Sequence, residues 1–191
     1  MRSMRTNEDR IQKLQGNTLI ETLKNVEDEH RNQEYETLTI IDKSGKILLI
    51  KDGKAKSVLI TPKEREKMQD AIITHNHKDS SCFSPEDIEC FVKYGAKEVR
   101  ATKRDGGVYS LIRTFMATSG IRFSKRYYRQ KEIATRKAQR KLDDGGYAAK
   151  LRYGTITQGF ADREMDRLIS LYNSEWLEVY AKHYGYVYSE E

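Results

Sequence analysis

Cysteine is scarce in this chain: Cys82 and Cys90 are the only two among 191 residues. Two thiols cannot build a disulfide framework, and the seven residues between them match no close-paired thiolate zinc knuckle. Both read as free thiols, with Cys82 packed beside Phe83. No apolar run approaches the roughly 20 residues needed to cross a bilayer, and the opening ten residues lack the apolar stretch of a secretory signal. A cytoplasmic protein without a membrane span is therefore expected. Internal repeats and low-complexity linkers are missing too, which excludes a solenoid and suits one core with additions.

Charge, by contrast, is plentiful and unevenly placed. Lys and Arg number 35 against 29 acidic residues, a net charge of +6, yet residues 121–152 alone hold eleven basic and three acidic side chains. The rest of the chain is thus slightly acidic, and the basic excess belongs to one segment. Lys125, Arg126, Arg129, Lys131, Arg136, Lys137, Arg140 and Lys141, interleaved with Tyr127 and Tyr128, have the composition of a surface for nucleic acid or another acidic partner. At helical spacing these charges surround the whole circumference, so an exposed, projecting helix is expected, on which Tyr127 and Tyr128 could stack on bases.

Apolar spacing supplies the elements. Ile11, Leu14, Leu19, Ile20, Leu23 and Val26 recur as one helical stripe over residues 8–33, breakable at Gly16. Residues 36–42 and 46–50 form a β-hairpin about a turn at Ser44 and Gly45. A short strand is expected over 57–61, then a helix opened by Pro62. Residues 71–74 read as a buried strand running into a polar loop, 75–83. Ser84 is a good N-cap, with Pro85 in the first turn and Glu86 and Asp87 where the helix dipole favours negative charge. A second hairpin covers 97–102 and 108–112. A final amphipathic helix over 162–183 carries Leu168, Leu171, Trp176 and Val179, and residues 185–188 suit a short strand. His30 and His183 fall on helices without ligand partners, which suits surface positions.

Two histidines one residue apart at a strand end point the same way, so His75 and His77 can present two imidazoles to one ion. Asp87 follows ten residues later on the first turn of a helix. Two neutral imidazoles and one carboxylate leave a metal net positive with a position open to water, which is a catalytic arrangement. With Thr74 before them and Ser84 in register, these residues resemble the HxH…SxxD signature of JAB/MPN (JAMM) metalloproteases, closest to the RadC-like domains found in phage proteins. The similarity extends more loosely over residues 34–111, roughly two fifths of the chain.

The resemblance implies Zn²⁺ on His75, His77 and Asp87, Ser84 assisting the tetrahedral intermediate, and a general base supplied by Glu34 or Glu36, two residues apart on one strand face. It implies a peptidase or isopeptidase acting on a protein tail or peptide conjugate, of phage or mobile-element association. Lys78 stands where the family usually has proline, which puts a cation near the metal. The alternative is a non-catalytic module of the same scaffold that binds nucleic acid or an acidic protein partner through residues 121–152. The expected fold class is α/β, a mixed sheet flanked by helices in the cytidine-deaminase-like manner of JAB domains. Its divisions are an N-terminal helical segment (1–33), the metal-binding domain (34–117) and a basic helical extension (118–191), with Trp176 and Tyr180 on the last helix able to cap the sheet or to form a homo-oligomer contact.

Overall fold

A computed structural model describes residues 7–55, 57–117 and 119–191. Helices α1 (Asn7–Leu14) and α2 (Leu19–Arg31) are separated at Gly16, and β1 (Thr37–Ile41) turns into β2 (Ile47–Asp52). A short helix α3 (Pro62–Arg65) with a 3-10 turn leads to β3 (Ile72–Asn76), α4 (Pro85–Lys93), β4 (Glu98–Thr102) and β5 (Val108–Arg113). Three helices follow, α5 (Gly120–Asp144), α6 (Tyr147–Arg152) and α7 (Gln158–Tyr180), and β6 (Tyr186–Glu190) ends the chain.

The strands form one mixed sheet in the order β2-β1-β3-β4-β5-β6. Only β3 and β4 run parallel, joined through α4; the other neighbours are antiparallel. Every residue of β1 and β3 is buried, because helices cover both faces. One face packs Leu38, Ile40, Ile73, Val99 and Leu111 against Phe83, Ile88, Phe91, Phe123 and Leu177 of the α4, α5 and α7 side. The other places Ile41, Ile47 and Ile50 under Leu14 and Val26 of α1 and α2. Thus β6, Phe123 and Leu177, all from the expected extension, share the sheet and core of the preceding segment. Gly185 makes the last turn at φ +80, where an added Cβ would lie 2.4 Å from the Ala117 nitrogen.

Two helix starts are built alike. At α3 the Thr61 side chain accepts from the Glu64 nitrogen while the Glu64 carboxylate accepts from the Thr61 nitrogen; at α4 Ser84 and Asp87 make the same reciprocal pair.

Several expectations are corrected. Residues 57–61 form no strand: a lone bridge joins Lys54 to Ser57, after which Ile60 is buried in the core without a strand beside it to pair. His30 is fully buried, not at the surface, with Nε2 3.0 Å from Thr39 Oγ1, because α2 turns polar residues as well as apolar ones onto the sheet. Leu171 and Val179 of α7 are exposed, whereas Ser170, Asn173 and Leu177 face inward. Nor is α5 exposed all round: Phe123, Tyr127, Gln130, Ala134, Ala138 and Leu142 form a buried stripe. Tyr127 is fully buried and donates to the Phe83 carbonyl at 2.7 Å, so its ring is not free to stack on a base. Trp176 packs against the main core, stacked on Phe123, so α7 caps the sheet.

Candidate metal centre

The C-terminal end of β3 delivers His75 to the α4 side of the sheet, and His77, two residues on, follows on the same side. Ser84 and Pro85 then start α4 so that Asp87, in its first turn, meets both rings. The two Nε2 atoms are 2.9 Å apart, and Asp87 Oδ1 and Oδ2 lie 3.4 Å from His75 Nε2 and His77 Nε2. With one donor taken from each residue, the three lie within 4.8 Å of one another; ligands at about 2.0–2.1 Å from a tetrahedral ion are about 3.3 Å apart, so the three side chains could hold a single ion after a small adjustment.

The surroundings prepare the donors. His77 Nδ1 lies 2.7 Å from the Ser81 carbonyl, which can only accept, so Nδ1 carries a hydrogen and Nε2 is the atom turned to the site. Both rings are buried, and His75 Nδ1 has no partner among the described residues. Burial disfavours the His77 imidazolium, but the hydrogen bond and charge of Asp87, with the Ser81 carbonyl and Glu36, reverse this and lift its pKa to about 9. Burial likewise raises Asp87, yet the two histidines outweigh it and hold the carboxyl well below its ordinary range. A cation is thus favoured here: metal-free, the site keeps a proton where an ion would sit.

The two glutamates part company. Glu34 lies in a bend before β1, exposed, with its carboxylate 3.8 Å from Lys78 Nζ and 3.5 Å from Arg104. This pairing also turns the Lys78 ammonium toward Glu34. Glu36, the residue before β1, is bonded through its backbone to Gly53 and Lys54 and lines the cavity beside the histidines. Burial raises its pKa, a rise the histidine charges only partly offset.

Asn76, between the histidines, was not singled out from the sequence. Its side chain points to the opposite face, accepts from the Thr37 nitrogen at 2.7 Å and donates to the Tyr35 carbonyl at 3.0 Å. These two peptide groups flank Glu36, so Asn76 fixes the backbone that carries it. An amide in a buried strand, where β-branched residues are favoured, is the signal that could have found it. From α7, the Ser170 hydroxyl accepts from the Cys82 nitrogen at 2.7 Å and pins the loop after His77. Cys82 itself is buried and its pKa pushed up to about 12 by that burial, so it stays a packed, neutral thiol.

The centre lines a cavity of about 700 Å³ together with Leu38, Val58, Ile60, Ile169 and Asn173. Ser84 lines it as well, and its hydroxyl oxygen accepts from the Asp87 nitrogen at 3.1 Å, leaving the hydroxyl hydrogen free. The nine basic residues of α5, the eight expected at a partner surface and Arg122, are all exposed, and of these Lys131 reaches the cavity wall. No helix among the described residues is long and apolar enough to cross a membrane. In comparisons with protein-family models, with curated proteins and with solved structures, nothing matches the chain.

Proposed function

We propose that the chain is a zinc-dependent hydrolase of amide bonds, a peptidase or isopeptidase of the JAB/MPN type, with its α/β sheet as a JAB-like scaffold. The observation that carries this reading is the convergence of His75, His77 and Asp87 on one point beside a half-buried carboxyl, Glu36. The donor set of two imidazoles and one carboxylate suits zinc with a position left open. Zinc, when bound, supplies Lewis acidity and makes a water acidic enough to ionise near neutral pH.

The chain's own residues do the rest. Glu36 accepts a proton at its carboxylate and returns it to the leaving nitrogen; a carboxyl raised by burial is better matched to that exchange than a solvated one. Ser84 donates its free hydroxyl hydrogen to the oxyanion, at the positive end of α4. Leu38, Val58 and Ile60 offer an apolar wall to an extended segment, which suits a protein tail or peptide conjugate.

The test combines elemental analysis with turnover of a quenched-fluorescence library of peptides and isopeptide-linked conjugates. Protein purified without chelator or histidine tag should hold about one zinc per chain, as a single three-ligand centre requires, and His77→Ala and Asp87→Ala should hold none. Glu36→Gln should keep the zinc and lose about 100-fold or more in turnover, the usual contribution of a general base, while Glu34→Gln should change neither. Absence of zinc from every sample after reconstitution overturns the reading.

A further inference from the structure

The charges of α5 are sorted by type. At 3.6 residues per turn, Arg122, Arg126, Arg129, Arg136 and Arg140 fall on one row, within about 40° either side of its centre. The buried stripe of Phe123, Tyr127, Ala134 and Ala138 lies about 140° round the same helix. The arginine row therefore faces away from the core, and it runs for about 27 Å at 1.5 Å per residue. All five arginines are exposed, and none has an ion pair or hydrogen bond among the described residues. Elsewhere the chain does pair its arginines, as Arg10 with Glu29, Arg100 with Glu27 and Arg167 with Glu164 show. Lysines sit off this row, Lys125 and Lys137 at its flanks and Lys131 toward the cavity.

We infer that this row is a docking surface for the phosphate backbone of a nucleic-acid duplex. Arginine binds phosphate through a planar, bidentate fork and holds its charge at any ordinary pH. A straight helix can set successive forks along a line of phosphates, and duplex backbones are rigid enough to offer one. A single strand would need aromatic platforms, and the row has none: Tyr127 is buried, and Tyr128, on another side of α5, is held by Glu89 at 3.0 Å. An acidic protein partner would be expected to meet apolar anchors as well, and Ile133 is the one apolar side chain within the row. No side chain here is placed to read a base edge, so binding is indifferent to sequence. The surface is independent of the metal centre and of the activity assigned to it.

The test is fluorescence anisotropy of the full chain with a 25-base-pair DNA duplex of arbitrary sequence. Five phosphate contacts give a slope of log K against log salt of about −4.5, hence about a 500-fold loss of affinity from 50 to 200 mM salt. The triple variant R126A/R129A/R136A should lower that slope by about 2.7, whereas the corresponding lysine variant should keep most of it. Circular dichroism guards against unfolding, which exposed positions make a small risk. Binding that is unchanged in the alanine variant overturns the inference. So does tighter binding of polyglutamate or of a single strand of equal length, and a chelator should change nothing.

Discussion

Replacing Asp87 with asparagine removes one negative charge from the metal-free centre and leaves its shape nearly intact. In the folded chain His77 is lifted to about 9 from an ordinary 6.5, although burial acts to lower it. The lift therefore belongs to its partners, Asp87 first among them, and each tenfold gain in proton affinity is about 1.4 kcal/mol. Protonation of the folded His77, favoured by Asp87 together with the Ser81 carbonyl and Glu36, thus contributes about 3 kcal/mol to stability. The sign follows from the folded pKa lying above the unfolded one: the contribution is complete below pH 6.5, declines as pH rises, and is gone once pH passes about 9. Urea unfolding of chelator-treated protein measures it directly. Asp87→Asn should be less stable than wild type by up to about 3 kcal/mol near pH 6, with the gap largely closed near pH 9.5. A gap that stays constant across that range would refute the assignment of Asp87 as the partner that charges His77.

Two further substitutions separate stability from chemistry. Asn76→Ala leaves the Thr37 nitrogen and Tyr35 carbonyl unpartnered and should cost about 1–3 kcal/mol in urea unfolding; because those groups flank Glu36, turnover should fall while zinc content holds. Arg100→Ala strands the Glu27 carboxylate, which Arg100 Nε contacts at 2.6 Å in a buried pair; unfolding should show a loss of about 3–5 kcal/mol, largely recovered by also changing Glu27 to leucine. The metal centre lies on the other side of the sheet from this pair, so zinc stoichiometry should not move in either Arg100 variant.

Much of this was legible from local patterns. The hairpins, the start of α4 and the pairing of His75 and His77 with Asp87 are each set by residues a few positions apart, where strand alternation and helix capping act directly. What escaped depends on partners distant in sequence. Glu34 and Glu36 look equivalent until β1 is seen to begin at Thr37, which leaves Glu34 in a bend. The inward face of α5 was hidden because Gln130, Ala134 and Ala138 bury without looking apolar beside so many arginines and lysines. Their three- and four-residue spacing with Phe123 and Tyr127 is the trace that a period-based reading can use. On α7 the same thing happens with Ser170, which is buried because its hydroxyl meets the loop after His77, and with Asn173, buried at the cavity wall. His30 is a third case, an imidazole buried because Thr39 sits under it.

The paired helix starts bear on how freely this sequence can drift. Glutamate is the usual partner of a capping serine or threonine, and α3 uses it, at Glu64. The start of α4 has aspartate instead, one methylene shorter, and that carboxylate both accepts from the Ser84 nitrogen and faces two imidazoles. A change to glutamate at position 87 would suit the helix and displace the oxygens; a change to asparagine would keep the position and forfeit the charge. Position 64 serves the cap and an ion pair with Lys51 on a partly exposed face, which a looser geometry can also meet, whereas position 87 must satisfy the cap and two buried imidazoles at once, so among descendants of this chain the first has more room to wander than the second.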